Sequence, residues 1–308
     1  MDMHIAAAFR DAKPTRLAIK VPSPIKKTEN PMQQFTRTAL SVFILTTASL
    51  AHAEAPTIGG FDGFASVSLG HGSSKDNYGF DDAGLATDAQ LSLSYADRSG
   101  FGGQVDLGYF RQNYDHYNTN SALHEAVGHL YYRSQGWLAG AFAQQRKYYI
   151  NGNSNGVDAD FLGIEGQAYL DNTTLYGQLG QGKWSSNSGT TDPDILATLE
   201  LRYFVRENLR LDASINHIKE DAQVLFGYVW RQTTYGVGAE YRFSGTPLSV
   251  LARYEYADEK ENTGYSANSR RLLVGVKFSI GKDSLRKSDR EGASLKPVAK
   301  DLFWGGVL

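Results

Sequence analysis

The chain has 308 residues, of which 41% are hydrophobic and 21% charged, with a formal net charge of −2. That length holds one large β domain or two smaller domains, and the near-balance of charge gives no reason to expect a nucleic-acid partner. The absence of cysteine excludes disulfides, thiolate metal sites and a lipid-bearing cysteine anchor, while 32 glycines and 18 tyrosines beside 8 prolines favour an all-β fold.

Residues 1–31 contain no apolar run. At Met32 a secretory pattern begins: Arg37, then an apolar run over 39–50, then Ala51-His52-Ala53 as a small-x-small site. It predicts cleavage between Ala53 and Glu54, with Met32 as the expected start and residues 1–31 as an upstream extension. The run is too short to be a spanning helix.

From Gly63 on, twelve segments alternate apolar and polar residues: 63–72, 85–96, 102–112, 125–133, 137–149, 159–170, 174–184, 194–205, 208–219, 233–243, 248–257 and 269–280. Period-2 alternation is the mark of strands with one apolar and one polar face. In the second and third, Leu91, Leu93, Tyr95, Val105, Leu107 and Tyr109 oppose Gln90, Ser92, Ser94, Gln104 and Asp106. The fifth, "WLAGAFAQQRKYY", has no clear polar face in its first half. The stretch 224–230, "VLFGYVW", is too apolar for a free loop and is expected either to extend the tenth strand or to fold into a lumen. After Gly281 the alternation stops; residues 281–308 are expected to form a disordered periplasmic tail, with docking in or under the domain as the other reading.

The connections alternate as well. Short polar turns near residues 97–100, 134–136, 171–173, 206–207 and 244–247 take turns with long polar stretches such as "SSKDNYGFDDA" and "DEKENTGYSAN". Transmembrane barrels have short turns on one side and longer loops on the other. A soluble sandwich has no reason to alternate so regularly, though it remains the other all-β possibility. Mean hydropathy is negative; a barrel tolerates this because only alternate residues need be apolar.

The signal segment, the strand alternation and the loop alternation together resemble the bacterial outer-membrane β-barrel and porin-like families over residues 54–280. The resemblance rests on architecture and on no member-specific motif. It implies an all-β fold, a single transmembrane antiparallel barrel of about twelve strands with short periplasmic turns and longer extracellular loops. It also implies a place in the outer membrane of a Gram-negative bacterium after secretion through the periplasm, contact with outer-membrane lipid and the barrel assembly machinery, and often passive passage of small hydrophilic solutes.

On this reading the apolar faces meet lipid and the polar faces line a lumen. The lumen charges are then Asp106, Glu165, Glu200, Arg202, Arg210, Asp212, Glu240, Arg242, Arg253, Glu255 and Lys277. Their mixed signs argue against a strongly ion-selective wall and leave two possibilities, a narrow polar channel or a lumen closed by ion pairs. Tyr95, Tyr109, Tyr132, Trp137, Tyr203 and Tyr254 are expected in interfacial girdles. An enzyme would need other chemistry. "GHGSS" offers His71 and Ser73 two apart on one strand face, the spacing of a Ser–His pair in a barrel lipid hydrolase or deacylase, but no third orienting residue is identifiable. His129, beside Tyr131 and Arg133, is expected to be a hydrogen-bonded lumen residue. "NGNSNGVDAD" has Leu162 where a calcium loop needs its bidentate glutamate, so neither a metal nor a cofactor is expected. The expected function is a porin-like channel; the alternatives are the lipid hydrolase and a non-conducting structural or surface-interaction barrel.

Overall fold

A computed structural model describes residues 60–297 apart from 117, 152–157, 187–188, 191–193 and 223–227. The signal segment with Ala53 and Glu54, residues 224–227 and residues 298–308 lie outside the described residues.

The strands are β1 (Phe61–Asp76), β2 (Asp81–Ala96), β3 (Phe101–Tyr114), β4 (Thr119–Arg133), β5 (Trp137–Ile150), β6 (Asp158–Leu170), β7 (Thr173–Ser186), β8 (Gly189–Thr190), β9 (Asp194–Arg206), β10 (Leu209–Ala222), β11 (Tyr228–Arg242), β12 (Leu248–Glu261) and β13 (Ser266–Ile280). β8 is a two-residue strand beside the end of β7. The other twelve form one antiparallel wall that closes where β1 pairs with β13 from Gly63↔Ile280 to Asp76↔Ala267. All twelve alternating segments are strands. Tyr228–Trp230 of the apolar stretch open β11.

Closure removes the free edges of the sheet and leaves one face inside and one outside. The outer face is apolar: Leu69, Val105, Leu107, Leu162, Ile164, Leu199, Val237, Leu272 and Val274 are all exposed. The inner face is polar: Ser92, Gln104, Asp106, Glu200 and Arg202 are all buried. This inverts a soluble protein, where a large exposed apolar area would drive association. A closed ladder with an apolar exterior satisfies its backbone without water, which is what a lipid bilayer demands of a spanning structure. The β2–β3 hairpin therefore turns Leu107 and Tyr95 to lipid and Ser92, Ser94, Gln104 and Asp106 to the lumen.

Five tight connections gather at one end. In the β2–β3 turn, Asp97 Oδ1 accepts from the Ser99 and Phe101 backbone N–H groups at 2.8 and 3.1 Å, and Gly100 takes φ +99°, a conformation glycine adopts without steric cost. An aromatic girdle surrounds this end on the outside. Tyr95, Phe101, Tyr132, Trp137, Tyr203, Tyr241 and Phe243 are all exposed, and the Phe101–Tyr132 and Tyr132–Trp137 ring centroids lie 5.1 and 5.5 Å apart. At the other end the polar stretches expected as loops are largely strand. β1 runs on to Asp76 and β2 starts at Asp81, so only residues 77–80 connect them; residues 115–118 and 262–265 do the same for the next hairpins of this kind. The alternation survives because the ladder continues with polar side chains beyond the apolar belt, where its hydrogen bonds still form.

The chain does not end in a free tail at Ile280. Gly281 (φ +99°) reverses it. Residues 285–291 form a helix, α1 (Leu285–Glu291), whose N-cap Ser284 hydroxyl accepts from Lys287 N at 3.2 Å, and residues 292–297 follow with a bend at 292–293 and no regular secondary structure. Leu285, Asp289, Ala293 and Leu295 are buried. For residues 281–297 the docked reading replaces the disordered one.

The lipid-facing assignment has a direct consequence. Val237→Arg, in the middle of the outer face of β11, is expected to lower the unfolding free energy of the refolded barrel by about 2–4 kcal/mol, measured by denaturant titration in lipid vesicles. Gln104→Arg would not be a control, since that residue faces inward.

Candidate functional site: the occupied lumen

All eleven charges expected in the lumen point inward, and the structure arranges them in groups. On one wall His129 sits between two carboxylates, Nε2 2.8 Å from Asp106 Oδ2 and Nδ1 2.7 Å from Glu165 Oε1. Both ring nitrogens thus face acceptors. Gln104 and Tyr176 complete the group, donating to Asp106 at 3.0 Å and to Glu165 at 2.9 Å. On the facing wall Arg210 lies 3.1 Å from Glu240 and 3.5 Å from Asp212, and Lys277 lies 3.0 Å from Glu240. Arg253 bonds Asp212 at 2.8 Å and Glu255 at 2.7 Å, and Glu255 also pairs with Arg271. Arg242 stands apart near the tight turns, bonding the Thr246 carbonyl at 3.0 Å.

Arg253 reaches Asp212 across β11, two strands away. The residue between them in the register is Gly238. A Cβ there would come within 2.7 Å of Asp212 Oδ1, and one at Gly236 within 2.7 Å of Arg253 Nη2. These glycines clear the space in which the ion pair forms.

Glu200 and Arg202 belong to a third group, with the C-terminal segment. Arg202 donates to Glu200 at 2.8 Å, to Asp289 at 2.6 Å and to the Ser294 carbonyl at 3.0 Å. Thr174 holds the other Asp289 oxygen at 2.7 Å. Gln104 pairs with both backbone groups of Leu295, at 2.9 and 3.2 Å. Lys296 Nζ reaches Glu200 at 2.6 Å. Burial pushes the Lys296 ammonium down to about 8, against the pull of Glu200. Asp62, near the start of β1, accepts from Lys282 N at 3.2 Å and Ala293 N at 2.7 Å; one carboxylate thereby holds the segment at its entry and again beyond the helix. The helix lies on the turn end of the wall, where Arg286 donates to Asn172 at 2.7 Å and Leu285 N donates to Asn208 at 3.2 Å.

The apolar part of the lumen was not legible from alternation. Leu295 packs with Tyr131, Leu138, Tyr169 and Tyr176. The first half of β5 turns Leu138 into that pocket and Phe142 into a second one, with Ala139, Ala141 and Ala143 outward. A second cluster, including Phe110, Phe142, Tyr148, Phe161 and Trp184, lies toward the loop end. Between the ion pairs and the docked segment is a cavity of about 240 Å³, lined by Arg210, Asp212, Glu240, Arg253, Glu255 and Lys296 among others.

One other expectation concerns catalysis. His71 is exposed and Ser73 half-buried on the outer face of β1, and no hydrogen bond joins them or brings a carboxylate to His71 among the described residues. No cluster of side chains able to hold a metal ion occurs among the described residues.

No protein-family model and no curated protein matches the chain. Solved structures similar to it include the translocator domain of autotransporter NalP from Neisseria meningitidis, at 14% identity and TM-score 0.44 over 80% of this chain and 97% of that one. Another is the KdgM porin in complex with disordered oligogalacturonate, at 11% identity and TM-score 0.39 over 69% and 99%. A third is an anion-selective porin from Comamonas acidovorans, at 11% identity and TM-score 0.40 over 72% and 100%.

Two substitutions test the docking. Asp289→Asn, which weakens the Arg202 pair, is expected to speed trypsin cleavage after Arg286, Lys287 and Arg290 in the folded barrel, followed by mass spectrometry. Arg202→Met strands Glu200 and Asp289 without their guanidinium and is expected to cost about 3–5 kcal/mol of stability, measured by denaturant unfolding.

Proposed function

We propose that the protein is a porin-like barrel of a Gram-negative outer membrane that passes small hydrophilic solutes, and that its own C-terminal segment obstructs the lumen in this state. The outer-membrane placement is supported by the closed, apolar-faced wall together with the secretory pattern at 32–53. The observation that carries the passage is the cavity of about 240 Å³ walled by ion pairs and bounded by a segment that enters from the turn end. That segment is attached to the wall covalently at Gly281 alone, and otherwise by hydrogen bonds, by the Arg202–Asp289 and Lys296–Glu200 ion pairs and by one leucine pocket. The neutral hydrogen bonds exchange with water at modest net cost, around 0.5–1.5 kcal/mol each, and those to charged groups at about 1.5–3 kcal/mol.

A non-conducting barrel is the second reading. The inward cluster of Phe110, Phe142, Tyr148, Phe161 and Trp184 favours it, since it narrows the loop-side half of the lumen independently of the segment.

Planar-bilayer conductance separates the two. The chain from Glu54 to Leu308 is expected to show small or infrequent steps, and the same chain ended at Ile280, which keeps all twelve wall strands, larger and more frequent ones. Silence from both, with folding shown by heat-modifiable migration, would overturn the passage and leave the closed barrel. In the truncated chain Arg253→Gln is expected to shift ion selectivity toward cations, read as a change in reversal potential under a salt gradient.

A further inference from the structure

The lining of the lumen cavity carries as many carboxylates as cations, yet it does not expose them equally. In most of its ion pairs the carboxylate lies behind and the cation in front. Arg253 leaves 24% of its side chain exposed against 4% for Asp212, and Lys296 leaves 32% against 2% for Glu200. Arg210 and Lys277 are likewise more open than Glu240, which both of them hold. Arg202 and Arg271 stay buried. Four cations, Lys296, Arg202, Arg253 and Arg210, act on the single carboxylate of Glu200. Like charges gathered in this way repel one another, the more so where water is scarce.

The hydrogen-bond inventory points the same way. Each oxygen of Asp212, Glu200, Glu240, Glu255 and Asp289 already has a cation or a hydroxyl within reach. Asp88 and Glu125 complete the carboxylates of the lining, and Glu125 pairs with Arg146 at 3.5 Å. The donors are not used up. A guanidinium has five N–H donors and an ammonium three. Arg253 spends three, on Glu255, Asp212 and the Ser214 hydroxyl, at 2.7, 2.8 and 3.0 Å. Arg210 reaches Glu240 and Asp212 through Nη2, while its Nε is left without a partner. Lys296 spends two on Glu200, at 2.8 and 2.6 Å. The capacity left over on these three cations is for acceptors only.

We infer that this cavity, completed by the docked segment, binds a small organic anion bearing carboxylate or phosphate oxygens, and that the bound anion holds the segment in place. Such oxygens accept charge-assisted hydrogen bonds from Lys296, Arg210 and Arg253, the guanidinium fork being suited to paired oxygens. Lys296 belongs to the segment, Arg210 to β10 and Arg253 to β12. An anion shared among them ties residues 292–297 to two strands with which they make no hydrogen bond among the described residues. It also relieves the crowding of cations. The volume of about 240 Å³ suits a solute of a few carbons rather than a polymer. The inference rests on the obstructed-lumen reading above, but not on the passage of solutes.

The test uses the chain from Glu54 to Leu308 refolded in detergent, with citrate and glucose 6-phosphate as probes, glucose as the uncharged control and isothermal titration calorimetry as the readout. At least one of the two anions is expected to bind while glucose gives no heat; the one that binds more tightly tells carboxylate from phosphate. Lys296→Gln, Arg210→Gln and the chain ended at Ile280 are each expected to weaken binding about tenfold or more, and Lys296→Arg to keep it. By linkage the saturating anion is expected to slow trypsin cleavage after Arg286, Lys287 and Arg290 at least about fivefold. No binding of either anion, equal binding of glucose, or equal binding by the chain ended at Ile280 or by Lys296→Gln would each overturn the site. Unchanged cleavage with the anion bound would overturn its hold on the segment. If Arg210→Gln lacks heat-modifiable migration, Lys296→Gln decides, since its change lies outside the wall. A barrel that binds the anion but whose shortened form never conducts overturns the passage alone; a shortened form that conducts, beside a full chain that binds neither anion, overturns this site alone.

Discussion

The β1–β13 ladder is the constraint from which the rest follows. With it, every wall strand has two neighbours and the sheet has no edge; its two faces become an inside and an outside that never exchange. Because the strand period is 2, turning the apolar set outward commits the polar set to the lumen, all around the wall. Charges placed there are removed from bulk water, which is costly unless they are paired with good geometry. The pairs that form are accordingly short and local. Arg253 serves Asp212 and Glu255; Arg210 and Lys277 share Glu240; His129 joins Asp106 to Glu165. Each group spans a few neighbouring strands and stiffens that part of the wall. None of them bridges the full width of the lumen.

That width is the second part of the problem. Barrels of about eight strands are filled by their own side chains, and those of about sixteen leave a channel. At twelve, the turn-end half of this lumen is occupied by a piece of main chain. A backbone segment in such a place brings unpaired N–H and C=O groups that must be satisfied. The wall supplies partners suited to that task. Gln104 offers both a donor and an acceptor to Leu295, Gln167 and Arg202 donate to the Ser294 carbonyl, and Asp62 accepts two N–H groups. The amides at 104 and 167 are thus not merely polar residues turned away from lipid. They match a partner within the same chain.

This division explains what the sequence made legible. Strands and their facing could be read because alternation is a local signal and lipid enforces it on every strand. The inward direction of Asp106, Glu200, Arg253 and the other lumen charges followed from the same rule. Their pairing did not, because it depends on register and on cleared positions such as Gly236 and Gly238. Leu138 and Phe142 broke the alternation in β5, and the cause lies far along the chain, in the leucine at 295 and the aromatic cluster of the other strands. The tail read as free because its residues have no period. Its order comes from partners contributed by β1, β3, β4, β6, β7 and β9, which no window of sequence brings together.

The two faces of β10–β12 show how environment, rather than strand type, decides what a charge needs. Inward, the strands hold Arg210, Asp212, Glu240, Arg253 and Glu255 in near-balance, each within reach of an opposite sign. Outward and a few residues higher, the same strands hold Lys219, Arg231 and Lys260 in a row of one sign. A row like this inside the lumen would be ruinous, since like charges would be buried side by side. At the rim the side chains reach water and headgroups, so repulsion is screened and the cost is small. The wall can therefore carry an imbalance there without losing the fold. Balance inside follows from folding; imbalance outside does not. The sector on β5–β7, with cation set against carboxylate at the same height, shows that the rim could have been neutral throughout.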